Sequence, residues 1–191
     1  MRFLGPLLTA IFVALATGFG FSWYTLNEGN LFGTLVVGPW SAWEGAGTAT
    51  PDPYTRAHMA RRGALQLGAS EGLQFVATTD SDGQRLDRDC RYRIDGTTPV
   101  ATFWTLVPVA PDGTIITLPG GPTAFHSRRI ARATDGSLQL YVSKTLSPRN
   151  WLEITGEGPF ALQLNLYDAS SFAGVGTAAA EMPAIIREGC L

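Results

Sequence analysis

The sequence predicts a mainly β protein: an antiparallel β-sandwich or jelly-roll-like domain with one short helix, preceded by a single N-terminal transmembrane helix. Three observations carry this reading. The 191 residues include 22 glycines and 12 prolines, which divide a chain into short elements separated by turns. Residues 138–142 and 160–167 alternate apolar and polar side chains, the period-2 pattern that buries one face of a strand. Residues 3–26 contain no charged side chain, a run long enough to cross the roughly 30 Å hydrocarbon layer as a helix.

Arg2 precedes this apolar run and Glu28 follows it, so the positive-inside rule predicts a cytoplasmic N-terminus and an exported domain. Trp23 and Tyr24 fall where amphipathic rings meet the outer interface. A cleaved signal peptide is the competing reading, with residues 3–13 as its apolar core and Ala14, Leu15 and Ala16 as a small-x-small cleavage site. Cleavage there would leave an exposed apolar terminus, which favours the anchor. The chain then divides into an anchor or signal sequence over residues 1–27, a connecting segment over 28–51 and an exported β domain over 52–191. Within the connecting segment, residues 31–43 are apolar but short and carry Gly38-Pro39, so they read as a strand and turn.

Asp52-Pro53 opens the one short helix, a capping side chain followed by a residue suited to the first turn. Ala57, Ala60, Ala64 and Leu67 share a face and Gly68 ends it; Arg56, Arg61 and Arg62 lie on other faces as solvated charge. Strands follow at 73–77, 91–94, 101–109, 114–117, 129–133, 138–142 and 160–167, separated by turn signals such as Asp95-Gly96, Asp112-Gly113 and Asp135-Gly136. Between the last two strands Pro148 breaks pairing, leaving Trp151 to plug a sheet end or line a groove. Seven such strands fit a sandwich or jelly roll.

Charged residues make up 16% of the chain and net charge is −2, with arginines scattered among acids. A nucleic-acid binder would show a clustered basic excess, so that class is excluded. The two cysteines, Cys90 and Cys190, form an even pair in an exported domain, which predicts a disulfide. No CxxC spacing exists and there are two histidines, so no metal site and no cofactor is expected.

The chemical motifs are sparse. Residues 68–72 read GASEG, matching the G-x-S-x-G of a hydrolase elbow, and chain order permits Ser70, Asp87 and His126 as a triad. The elbow requires a strand before its serine and a helix after it, whereas here the order is reversed; no catalytic residue is assigned. Asp80, Asp82, Asp87 and Asp89 cluster without the spacing of a calcium loop, and Arg85 and Arg88 neutralise them, so the cluster reads as a solvated turn. His58 falls on the helix as a surface residue, and residues 119–122 form a turn without the lysine of a phosphate loop. Trp104, Tyr141 and Trp151, with Tyr167, would stack on a sugar or an apolar ligand if they share one face. With His126 and Arg128 in the Phe125–Arg128 stretch, the ligand-binding candidates are Trp104, His126, Arg128, Tyr141 and Trp151.

Taken in order, residues 80–87, Tyr92 to Ile94, Pro99, residues 103–106, residues 135–137, Asn150-Trp151, residues 160–168 and Pro183 resemble the bacterial family known as domain of unknown function 1214. The resemblance covers about residues 80–183, and more loosely the chain from Gly38. It implies a β-sandwich or jelly-roll-like domain and, in short versions with an apolar N-terminus, attachment to the inner membrane of a Gram-negative cell. It implies no established activity. Longer relatives carry a second module, domain of unknown function 1254, ahead of this one, so a function that needs both halves calls for a separate partner chain of that type. The combined expectation is a membrane-anchored periplasmic binding or interaction module, held in the membrane by its N-terminal helix and open to an inner-membrane protein partner. The alternatives are an envelope enzyme acting on glycans in an aromatic groove and an accessory subunit of an inner-membrane complex.

Overall fold

The structure is a computed structural model that describes residues 3–27, 33–43, 45–63, 67, 71–168 and 181–190. Helix α1 spans Leu4–Asn27. Its segment Leu4–Thr25 has a mean hydropathy of 1.9 and none of its apolar window is buried in the rest of the protein, so Phe12, Phe19 and Trp23 remain exposed. The hydroxyls of Thr9, Thr17 and Thr25 donate back to the carbonyls of Gly5, Val13 and Phe21 at 2.9, 2.7 and 2.8 Å, which spares an apolar environment any bare polar hydrogen. The element fits a single-pass anchor or a signal sequence.

Ten strands lie among the described residues: β1 Thr34–Val37, β2 Trp40–Trp43, β3 Gly72–Ala77, β4 Cys90–Gly96, β5 Phe103–Val109, β6 Phe125–His126, β7 Leu138–Ser143, β8 Asn150–Glu153, β9 Ala161–Tyr167 and β10 Ala184–Cys190. They form two sheets, β1-β2-β3-β9-β5-β6 and β10-β4-β7-β8. Period-2 alternation drives both: Phe75, Trp104, Leu106, Leu162, Leu164 and Leu166 point inward from the larger sheet, and Tyr92, Ile94, Leu140, Val142 and Leu152 from the smaller, into one shared core. Residues 34–43, expected as a strand and turn, form a hairpin that extends the larger sheet through β3.

Three expected elements are corrected. Residues 114–117 make a single bridge, Val109 to Ile115, because Pro108 on the facing strand accepts from the Ile116 N–H at 3.1 Å but has no N–H to return. Residues 129–133 make only the Arg132 to Leu138 bridge, because Ala131 spends both backbone groups on a side chain. The carboxamide of buried Asn150 accepts from the Ala131 N–H at 2.8 Å and donates to the carbonyls of Ala131 and Gln139 at 2.7 and 2.8 Å. That side chain also explains the third departure: Pro148 sits in a tight return, yet the chain resumes at Asn150 as β8, parallel to β7. Every other named pair is antiparallel.

Helix α2, Pro53–Arg62, begins as expected, with the Asp52 carboxylate accepting from the backbone N–H of Tyr54 and Thr55 at 2.9 and 3.1 Å. It ends at Gly63, whose φ of 59° takes the left-handed cap while its N–H donates to the Met59 carbonyl. The expected stop at Gly68, like Ala64, lies outside the described residues, and Leu67 is not helical. Thr55 is fully buried and His58 stacks on Trp43 at 4.3 Å, which seats α2 on the outer face of the larger sheet. Gly72 allows β3 to approach β9: a Cβ there would lie 1.9 Å from the Leu166 carbonyl oxygen. The final glycine of GASEG thus has a packing reason, while its Ser70 lies outside the described residues.

Candidate functional site

The five side chains singled out from the sequence occupy three places. Trp104 points from β5 into the core at 2% exposure. Its Nε1 is buried without a hydrogen-bond partner among the described residues. Tyr141 and Trp151 are register partners on β7 and β8 and share the outer face of the smaller sheet, where the Trp151 indole donates to the Ser143 hydroxyl and carbonyl at 3.1 and 3.2 Å. His126 is at the edge of the larger sheet, opposite Thr105, and Arg128 is exposed in the turn after it. Tyr167 joins His126 instead, because both rings lie 5.7 Å from Phe103.

A polar site does exist, on the outer face of the larger sheet. Residues at alternate positions of adjacent strands form one rank: Gln74, Asn165, Thr105 and His126 on β3, β9, β5 and β6. The Gln74 amide donates to Asn165 Oδ1 at 2.8 Å and the Asn165 amide to Thr105 Oγ1 at 3.2 Å. In the next rank Gln163 faces outward, and its carboxamide has no hydrogen-bond partner among the described residues.

Beside this ladder lies a cavity of about 480 Å³, within the roughly 300–1,000 Å³ typical of small-molecule sites. Gln74, Val76 and Gln163 of β3 and β9 floor it, Arg61 reaches over from α2, and Arg85 and the Ala110–Gly113 turn close the sides. Asp112 stands in that turn with its carboxyl held below the usual carboxylate range by hydrogen bonds from the Thr114 N–H and hydroxyl. Floor carboxamides, two guanidiniums and a rim carboxylate, set among apolar Val76, Val109 and Pro159, can hold hydroxyls, amides and a carboxylate at once.

The acidic cluster is structural, with partners other than the arginines nearest in sequence. Asp80, 1% exposed in its side chain, pairs with Arg187 of β10 at 3.0 Å, and Asp89 pairs with Lys144 at 2.6 Å. Arg187 also lies over the Tyr92 ring at 5.5 Å. Burial pushes the Tyr92 phenol above the ordinary tyrosine range, against the pull of the Asp87 N–H that donates to its oxygen at 2.8 Å. At the far end of β10 the predicted disulfide joins Cys190 to Cys90.

A family described as Protein of unknown function (DUF1214) matches residues 71–171, more than half of the chain. The chain belongs to the DUF1214 family. Among solved structures it resembles the VPA0106 protein of Vibrio parahaemolyticus, with 22% identity and a TM-score of 0.58 over 71% of this chain and 35% of that one. A putative uncharacterized protein from Burkholderia cenocepacia matches at 17% identity and a TM-score of 0.48, over 92% of this chain and 42% of the other. A search of curated proteins finds no match. The chain thus spans about a third of the length of the Vibrio protein, and that likeness concerns the fold.

The whole ladder and every residue lining the cavity except Arg61 of α2 lie inside the matched DUF1214 region. The sequence did carry a signal for this site. Gln74, Gln163 and Asn165 are the outward positions of strongly alternating strands, where three carboxamides on neighbouring strands invite cross-strand bonding. Their convergence depended on β3 and β9 being neighbours, which alternation alone does not fix.

Proposed function

We propose that this DUF1214 chain is a membrane-tethered periplasmic binding module whose larger sheet holds a small, hydroxyl- or amide-rich ligand bearing a carboxylate, such as an acidic sugar. The observation that carries this reading is the 480 Å³ cavity lined by Gln74, Gln163, Arg61 and Arg85. Apolar α1 supplies the tether, with the N-terminus in the cytoplasm, and the disulfide fits an oxidising compartment. A separate chain of the domain of unknown function 1254 type, the module that the family resemblance associates with longer relatives, is the partner proposed for any activity that needs a second module.

Calorimetric titration of the full-length protein in detergent with neutral sugars, uronic acids and short peptides tests the ligand class. A uronic acid is expected to bind best, and Arg85→Gln to weaken it about tenfold through loss of one charge-assisted contact. Preference for neutral sugars, or binding indifferent to Arg85→Gln, would refute the acidic-ligand reading.

A further inference from the structure

The disulfide end of β10 carries a second, independent chemistry. Cys90 and Cys190 face each other directly across β4 and β10. They are unequal: Cys90 is 6% exposed whereas Cys190 lies open at the surface. A cavity of about 190 Å³ abuts both, walled by Arg88, Arg91, Lys144 and Thr145 together with Asp89 and Glu188.

The charges around it do not cancel. Asp89 is matched by Lys144 at 2.6 Å and Glu188 by Arg93 at 3.0 Å, although Arg93 also pairs with Asp95, so both lining acids are already in ion pairs. Arg88 and Arg91 make no ion pair among the described residues. Arg88 donates through Nη1 to the Thr155 carbonyl at 3.3 Å, while its Nε is buried without a hydrogen-bond partner among the described residues; Arg91 donates to the Thr145 hydroxyl at 2.9 Å. The Arg88 pose depends on Gly156, where a Cβ would come within 2.7 Å of Nη1. Two guanidiniums that make no ion pair among the described residues, beside a sulfur pair, favour an incoming anion and a departing thiolate.

We propose that the Cys90–Cys190 disulfide is a thiol-exchange site for a small carboxylate-bearing thiol of the glutathione class. The thiolate attacks the Sγ of Cys190, the exposed residue of the pair, forming a mixed disulfide, and the S–S bond breaks to release Cys90 as a thiolate beside Arg88. A second thiol molecule attacks the small-molecule sulfur of that adduct, leaving as its own disulfide. Two thiols are oxidised and the protein pair is reduced to Cys90 and Cys190 thiols. Strand β10 stays docked meanwhile. Asp80 holds Arg187 at 3.0 Å, Ser81 and Ile185 exchange hydrogen bonds at 2.9 Å in both directions, and the Trp40 indole donates to the Pro183 carbonyl at 2.7 Å. Cys190 therefore remains near Cys90, and the reaction can run backwards without refolding.

The test treats the oxidised full-length protein with glutathione, neutral 2-mercaptoethanol and cationic cysteamine, each rate normalised to that thiol's rate on a small unstructured disulfide, with adducts mapped by peptide mass spectrometry. Glutathione is expected to react about tenfold faster than cysteamine after normalisation, with its adduct on Cys190. Combined Arg88→Gln and Arg91→Gln should erase the preference, and Cys90→Ser, which leaves Cys190 as a free thiol, should accumulate the Cys190 adduct when given oxidised glutathione, with one glutathione released as the thiolate. An adduct on Cys90, equal normalised rates for the three thiols, or a native protein whose disulfide resists all of them would overturn the proposal.

Discussion

The two outer faces of the sandwich spend their polar groups differently. On the smaller sheet and the clamp around β10, apart from Arg88 and Arg91 at the disulfide end, the polar side chains are largely used up on one another: Arg93 pairs with both Asp95 and Glu188, the Trp151 indole with Ser143, and Asp80 with Arg187. On the larger sheet the amide ladder stops short. Gln163 and the buried Nδ1 of His126 have no hydrogen-bond partner among the described residues, and Arg85 makes no ion pair among them. Buried or half-buried polar groups are normally satisfied, so the first pattern marks architecture and the second marks a surface that awaits something else. Deleting a polar group on each side should therefore produce opposite kinds of loss.

The largest effect is expected at Asp80→Ala. Its carboxylate is almost wholly buried, pairs with Arg187 and accepts from the backbone N–H of Asp82 and Gln84 at 3.1 and 2.8 Å. Removing one partner of such a pair typically costs about 3–5 kcal/mol, because the other charge is left uncompensated. Urea unfolding of the variant should show that loss without any change in the preference among ligands that still bind. A cost below about 1 kcal/mol would mean that the β10 clamp is ornamental rather than structural.

A smaller structural loss is expected at Asn150→Ala. The side chain substitutes for a strand by satisfying Ala131 on both backbone groups and Gln139 on its carbonyl, so truncation orphans groups that cost about 1–3 kcal/mol when left unpaired. Hydrogen exchange should quicken first at the Ala131 amide. Unchanged protection there would show that the return between β7 and β8 is held by something other than this carboxamide.

These two residues also show how far the sequence could be read. Alternation placed the inward leucines of β7 and β9 and the outward glutamines correctly, because period 2 is a local property of the strand. It could not reveal that Asn150 would act as a strand substitute, since that role depends on Ala131 and Gln139 arriving from elsewhere. Strand β10 was missed for a related reason: its outer half reads Arg-Glu-Gly-Cys, and only pairing with β4 turns it into a strand. The aromatic candidates were chosen by residue type, and the sandwich then sorted them by parity, Trp104 inward and Tyr141 and Trp151 outward on the opposite sheet. The carboxamides that line the cavity looked like ordinary solvent-facing positions, because a hydrogen-bonding rank becomes visible only once strand order is known.

The smallest stability change and the sharpest test of the comparison belong to Gln163→Ala. With no partner to lose among the described residues, the substitution should leave urea stability within about 0.5 kcal/mol of the parent. The same change removes a carboxamide from the cavity floor, between Val76 on β3 and Val107 on β5 in the strand register. Affinity for a bound acidic sugar should fall by about fivefold to tenfold, the worth of roughly one hydrogen bond. Stability and binding then separate at this position, as they should not at Asp80 or Asn150. Were Gln163→Ala to destabilise the fold by as much as Asn150→Ala while sparing ligand affinity, the larger sheet would be architecture on both faces.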